Sequence, residues 1–247
     1  MLLLEMGFRA RLLAFVLAIA AGPAGAQQTA PAPCCIPYDR ALYGPEIPLP
    51  EILQGLGVAG PFVPAARVEV WKSAYMLKLY SGERLLKTYR IELGRQPIGP
   101  KRFYGDGRTP EGSYAICHHN PNSRYHLSLQ IDYPNEADIA RGLDSLWISS
   151  DEAEELRKHR AQGVCPRAGT ALGGEIFLHG QDPKTTERLR EEQADAGRRA
   201  GVLPGDVDPA TMDLGQNWTL GCVALTNPDI RELYAALPDG TPVEILP

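Results

Sequence analysis

The 247-residue chain has no surplus of positive charge: 25 Lys and Arg stand against 30 Asp and Glu, a net charge of -5, with a pI near 5.6. That balance argues against nucleic acid as the main partner. No Cys-x-x-Cys spacing occurs among the five cysteines, so neither a metal site nor a redox motif is expected. Internal repeats and blocks of like charge are missing too. The apolar run Leu12–Ala21 is too short to span a bilayer, and no second span follows it.

What that run does supply is an address. Arg9 and Arg11 precede it, and Ala24-Gly25-Ala26 gives a small-x-small cleavage pattern. Residues 1–26 therefore read as a removable signal peptide, which places the protein in the periplasm or cell envelope. Glu5 is unusual in a basic leader, and Met6 offers a second start. No Leu-Ala-Gly-like lipobox precedes Cys34, which argues against a lipid anchor. Export permits disulfides. Cys34, Cys35, Cys117, Cys165 and Cys222 remain after cleavage, and an odd number leaves at least one unpaired within the chain. The adjacent pair Cys34 and Cys35 would rarely bond each other, so bridges from that pair to Cys117 and Cys165 are the expectation.

Residues 27–66 are proline-rich and read as an extended arm, with Ile52–Val58 as an apolar patch that docks it. From Arg67 the hydrophobic period shortens to two. Val68 and Val70 mark a first strand, Tyr75–Tyr80 a second, Ser81-Gly82 a turn, and Leu85–Leu93 the returning strand. Ser113–Cys117 resumes strand after the Gly105–Gly112 loop. In that loop Asp106 reads as a turn residue bonding its own backbone. Ser149 with Glu152 forms a capping box opening a helix to Gln162. His159 near its end reads as a solvated charge. His118 and His119 are adjacent, so on a strand they face opposite sides and cannot chelate one metal together. Asp182-Pro183 opens a further helix over 183–199, charged on nearly every face. That pattern reads as an exposed helix, with a lid over the Cys222 cleft as the alternative.

The richest stretch is Asn217–Asn227. A Gly221-Cys222 pair sits between an apolar run and Asn227-Pro228, which reads as a helix start with Asn227 as N-cap and Pro228 at the first helical position. Cysteine beside glycine on a tight turn exposes its sulfur among backbone N–H groups, which stabilise a thiolate and later an oxyanion. His179, ending the run Ile176–Leu178 before Gly180, offers a base. Taken singly, such a cysteine is more often bridged and such a histidine more often a core residue.

Together these residues resemble the L,D-transpeptidase (YkuD-type) catalytic domain family. His179-Gly180, Thr219, Gly221, Cys222 and Asn227 match its motif. Leu220 stands in place of the motif histidine and Ala224 in place of the arginine. The gap from His179 to Cys222, 43 positions (222 − 179), is longer than the family's usual one. Asn120–His126 is similar to a block of the DpaA/YafK-like branch, and Gly105–Gly112 is similar to the family's Gly-Asp-x-x-x-Pro-Glu-Gly signature.

The resemblance implies a single mainly-β domain over residues 67–247, a curved β-sandwich or barrel-like body with flanking helices. It implies Cys222 as nucleophile, His179 as base, the Gly180 carbonyl orienting the imidazole, and Gly221 at the oxyanion site. Thr219, Asn227, His126 and Arg108 fall on the substrate-binding side. Neither metal nor cofactor is implied. The substrate would be a diaminopimelate-containing peptidoglycan stem peptide, in cell-wall biogenesis and cell shape. Amine attack on the acyl enzyme gives transpeptidation. Water gives hydrolysis or amidase action, with release of a peptidoglycan-linked lipoprotein or a stem-peptide residue. A wall-binding module without catalysis is a third class, against which retention of both Cys222 and His179 argues. A disulfide-rich structural protein would require an oxidised Cys222.

Overall fold

The computed structural model describes residues 47–166, 169–182, 184, 191 and 217–247. The leader, most of the proline-rich arm with Cys34 and Cys35, and the 183–199 helix apart from Lys184 and Glu191 lie outside the described residues.

The period-two stretches form the expected strands. β1 (Ala66–Trp71) pairs antiparallel with β2 (Met76–Ser81), and β2 with β3 (Arg84–Arg90). Leu77 and Leu79 are fully buried while Met76, Lys78 and Tyr80 are only half-buried, the signature of a one-sided sheet. β4 (Gly112–Ser123), β5 (His126–Ile131), β6 (Phe177–His179), β7 (Val223–Ala224) and β8 (Pro242–Leu246) complete one eight-stranded mixed sheet. Its order is β3-β2-β1-β8-β4-β5-β6-β7. The last strand in sequence lies in the middle, parallel to β1 and antiparallel to β4.

The chain is mainly β with flanking helices, as expected, and its curvature comes from the sheet closing on itself. β4 pairs with β8 through Gly112–Ala115 and with β5 from Ile116 onward, so one long strand serves both halves. The segment after β3 then meets the far end. Glu92 and Ala224 exchange both backbone hydrogen bonds at 2.9 Å, and Gly94 bridges Thr219. The first and last strands of the order are thereby joined.

Four helices among the described residues flank the sheet: α1 (Leu49–Gly55), α2 (Glu136–Asp144), α3 (Ser150–Ala161) and α4 (Asn227–Ala236). The docking patch seats through Leu53, which is buried, and Val58, with Leu49 just ahead of the patch also buried and its N–H donating to Glu232 on α4 at 3.1 Å. Ile230 and Leu233 of α4 bury fully in the main core with Leu129, Leu178 and Val223. Each such side chain contributes about 1.5–3 kcal/mol. α2 and α3 pack a second cluster around Ile139, Leu156 and Leu172. The Ser149–Glu152 capping box is present, and a second one, Asn135 with Asp138, opens α2.

Two expectations are corrected. Cys117 and Cys165 bond each other, with Cα atoms 5.4 Å apart, rather than reaching to Cys34 and Cys35. The fold runs the segment before Pro166 past β4 and β5, where Gln130 Nε2 donates to the Pro166 carbonyl at 3.3 Å, and so brings two cysteines 48 positions apart into bonding distance. The cap of α4 is Thr226, not Asn227: Thr226 Oγ1 accepts from the Asp229 N–H at 3.3 Å. Asn227 is instead the first helical residue, because its side chain is engaged elsewhere.

Candidate active site

The turn 219–222 is held on both flanks. The Glu92–Ala224 bridge fixes one side. On the other, β6 and β7 run parallel with Leu178 opposite Val223 and His179 opposite Ala224. Thr219 is buried and ties the turn internally. Its hydroxyl donates to the Cys222 carbonyl at 2.7 Å and accepts from the Gly221 N–H at 3.1 Å. Gly221 has φ +140°, and a Cβ there would lie 2.6 Å from the Arg108 carbonyl oxygen. Only glycine fits that backbone against that neighbour.

The Cys222 thiol, unpaired with any other described cysteine, points to the segment leading into β6. It donates to the Glu175 carbonyl at 3.8 Å. Burial pushes it up to about 11, and the Phe177 N–H and the nearby Lys101 ammonium oppose that shift only in part.

His179 is 3% exposed. Its Nδ1 lies 2.6 Å from the Gly180 carbonyl oxygen. A carbonyl can only accept, so Nδ1 carries the proton and Nε2 presents the lone pair. Two rings enclose the imidazole. Tyr125 stacks on it at 4.6 Å between centroids, and Trp218 meets it edge-on at 5.6 Å. Burial pulls His179 down to about 4, and the Gly180 hydrogen bond offsets only part of that. Near neutral pH both groups are therefore uncharged.

Gly180 and Asn227 fix the chain just beyond the imidazole. A Cβ at Gly180 would crowd the Asn227 amide oxygen, Ile230 Cγ2 at 2.9 Å and the Tyr125 carbonyl oxygen at 3.0 Å. Asn227 Oδ1 accepts from the Gln181 N–H at 2.7 Å, the engagement that leaves capping to Thr226. The Leu225 N–H donates to the His179 carbonyl at 2.8 Å.

Six of the expected residues, Cys222, His179, Gly180, Gly221, Thr219 and Asn227, thus meet along the β6–β7 ladder and its ends. Arg108 approaches by its main chain: its carbonyl abuts Gly221, while its guanidinium bonds the Ile98 carbonyl. His126 opens β5, with its Nε2 3.4 Å from Arg231 Nη2 on α4. Asp106 is the turn residue expected, accepting from the N–H groups of Arg102 at 2.7 Å and Arg108 at 3.0 Å. Sequence reasoning passed over Tyr125, Trp218 and Lys101. Tyr125 and Trp218 each lie in a stretch already singled out, next to His126 and Thr219. No periodicity announces that both rings turn to one histidine. Among the described residues no three His, Cys, Asp or Glu side chains gather as a metal set, and no helix is long and apolar enough to cross a membrane.

A family model for the L,D-transpeptidase catalytic domain (YkuD) matches residues 65–245, and the chain belongs to that family. The YafK proteins of Escherichia coli K12 and O157:H7 are each 33% identical to it over 87 residues, 33% of this chain and 35% of theirs. The chain thus spans about a third of the length of the curated relatives it matches. Among solved structures, the helical cell shape determining protein Pgp2 of Campylobacter jejuni (K307A mutant) is similar at 18% identity and TM-score 0.43, over 80% of this chain and 53% of that one. L,D-transpeptidase 1 of Mycobacterium tuberculosis is similar at 13% identity and TM-score 0.36, over 74% of this chain and 62% of that one.

Proposed function

We propose that the protein is a peptidoglycan L,D-transpeptidase that works through an acyl enzyme on Cys222, with His179 as the base. The observation that carries this reading is the parallel β6–β7 register, His179 opposite Ala224, two positions from a thiol turned toward residues 175–177. Membership of the L,D-transpeptidase family supports it.

The two groups start neutral, so the thiol proton moves as the sulfur attacks. It passes to His179 Nε2 while a bond forms between Sγ and the carbonyl carbon of a diaminopimelate residue in the stem peptide. The oxyanion is held by backbone N–H groups of the Cys222 turn. Gly221 donates its own N–H to Thr219 and serves by shaping the turn. Collapse breaks the C–N bond, and the imidazolium returns the proton to the leaving amine. An acceptor amine then gives its proton to His179, attacks the thioester and regenerates the thiol. Water in the amine's place makes the same site a hydrolase, whose products include a released stem residue or lipoprotein. The aromatic enclosure of His179 by Tyr125 and Trp218 favours transfer, because it keeps water from the base.

The setting follows from the leader: residues 1–26 are removed on export, residues 27–66 serve as an arm, and residues 67–247 work in the periplasm or cell envelope. The deciding experiment incubates purified protein with defined muropeptides and reads the products by mass spectrometry. Cross-linked products that vanish in Cys222→Ala are expected. Hydrolysed products alone would replace transfer with hydrolysis, and undiminished turnover by folded Cys222→Ala would sink the nucleophile assignment.

A further inference from the structure

We propose that Arg124, His126 and Arg231 form a carboxylate site beside His179 that takes the C-terminal carboxylate of the stem peptide. The inference rests on the acyl-transfer reading above, and it adds what that reading lacks, a determinant for the leaving group.

The three side chains come from two elements that border the segment of the base, the β4–β5 hairpin and α4. Ser123 pairs with His126, so Arg124 and Tyr125 are the whole turn of the β4–β5 hairpin. The tip of that hairpin is pressed against the site: the Tyr125 ring stacks on His179, and the Leu127 carbonyl accepts the Gly180 N–H at 3.2 Å. The Arg124 guanidinium lies over the same Tyr125 ring, 5.6 Å from its centroid. His126 follows with φ +72° and closes the hairpin turn in the left-handed region, which histidine enters more readily than most residues with a Cβ. Arg231 reaches His126 from α4. It is four residues after Asn227 and shares its face of the helix, the face that binds the segment just beyond His179. A guanidinium can only donate, so His126 Nε2 accepts from Arg231, and its Nδ1–H is left as a donor.

Among the described residues neither Arg124 nor Arg231 has a carboxylate partner. The acids on the neighbouring segments are engaged: Asp229 accepts from Thr226 Oγ1 at 2.6 Å, and Asp182 from the Lys184 N–H at 3.2 Å. On a chain of net charge -5, two guanidinia that have no carboxylate partner among the described residues, one of them bonded to an imidazole, form a local positive site. Such a fork-bearing set suits a carboxylate held through two parallel hydrogen bonds.

The chemistry says whose carboxylate it is. His179 must hand its proton to the leaving amine. When the residue leaving is the C-terminal one, its carboxylate hangs from the carbon that bears that amine. A group that binds this carboxylate has to stand near the base, and the hairpin tip and α4 are the elements that border the His179–Gln181 segment, the first through Tyr125 and the second through Asn227.

The test measures binding, so that it does not depend on turnover. Cys222→Ala protein is titrated by calorimetry with a stem tetrapeptide ending in a free carboxylate and with the same peptide ending in a carboxamide. The acid is expected to bind about tenfold more tightly, a ratio in keeping with two partly exposed charge-assisted contacts. Adding Arg124→Gln and Arg231→Gln, both at exposed positions that a folded protein tolerates, should bring the acid down to the amide's affinity and leave the amide unchanged. Equal binding of the two peptides before those changes, or an acid preference that survives them, overturns the site. Failure of the acyl-transfer reading is seen separately, as the absence of Cys222-dependent product from muropeptides, and leaves a measured acid preference intact.

Discussion

Two buried lysines, Lys72 from the β1–β2 turn and Lys101 from the loop that follows β3, place their ammonium groups in that loop and keep their counter-ions there. Lys72 Nζ donates to Glu111 at 2.8 Å and to the carbonyls of Gly99 and Thr109 at 2.7 and 2.9 Å. Lys101 Nζ sits 2.8 Å from Asp106 Oδ1 and 3.1 Å from the Phe103 carbonyl. Burial works to raise Asp106, yet Lys101 and the N–H groups of Arg102 and Arg108 outweigh it and hold the carboxyl below its usual range. Across the Gly221 contact the site holds a half-buried thiol and a buried imidazole whose bonded and stacked neighbours are carbonyls, an N–H and aromatic rings. Both are pushed to their neutral forms. A buried charge with a full set of partners is a strut. A buried group left without a counter-ion stays neutral, and its proton moves when the reaction asks for it.

The sharpest way to break this contrast is to remove the base. His179→Ala should lower kcat/KM for a muropeptide about 10²–10⁴-fold, with Cys222 still reactive to an alkylating reagent at high pH. A drop smaller than tenfold would make the imidazole a packing residue like the struts. On the other side of the contrast, Lys101→Met strands Asp106 in the interior and should cost about 3–5 kcal/mol in urea denaturation. Lys101→Met with Asp106→Leu should recover much of it. If the single change costs nothing, the loop's charges are not holding it.

A pH titration of stability separates the two regions further. The folded protein keeps His179 unprotonated to about 4, while the unfolded chain takes up that proton near 6.5. Between those values the unfolded state binds more protons, so stability falls as pH is lowered from 6.5 to 4. The loss is roughly 3 kcal/mol, from a difference of about 2.5 units. It should vanish in His179→Leu. Asp106 has the opposite placement, below its ordinary range, and its contribution fades only as pH falls through that still lower range. The smallest effect belongs to Tyr125→Leu. Opening one face of the imidazole should move the acid limb of kcat/KM upward by a fraction of a pH unit, and a limb that does not move would leave Trp218 and the core as the source of the desolvation.

Much of this was legible because it is local. β1 to β3 follow from an alternation carried by Leu77 and Leu79, and α3 from a capping box within four residues. The Cys222 turn is announced by Gly221, whose φ no other residue adopts easily. What escaped is decided by chain segments far apart. The sheet is closed by a bridge at Glu92 and Ala224, with no run of pattern to advertise it. Cys165 met Cys117 because a connecting segment passes β4, a fact no spacing contains. Asn227 carries every sequence mark of a cap, yet the Gln181 N–H takes its side chain and Thr226 caps in its stead. α2, with its own capping box at Asn135 and Asp138, is nine residues long. At that length its apolar pattern is too brief to separate from a loop. The rings of Tyr125 and Trp218 converge on His179 from a hairpin tip and from the Cys222 turn, which only the fold brings together.

The position of β8 carries a temporal meaning. Val68 pairs with Val243, 175 residues later (243 − 68), and the same strand pairs with Gly112–Ala115 on its other edge. The middle of the sheet is therefore the last part of it to be synthesised. Until Pro242–Leu246 emerge, β1 and β4 lack their shared neighbour, and the hairpins on either side are separate pieces with unpaired edges. Pairing across so long a stretch is slow, because the loop must close before any contact rewards it. The half that bears Cys222 and the half that begins at Ala66 are joined by this strand on one side and by the Glu92–Ala224 bridge on the other, so the sheet closes fully only with the final strand in place. Shortening the chain before Pro242 would thus silence a thiol that lies some twenty residues upstream of the cut, without touching a single residue around it.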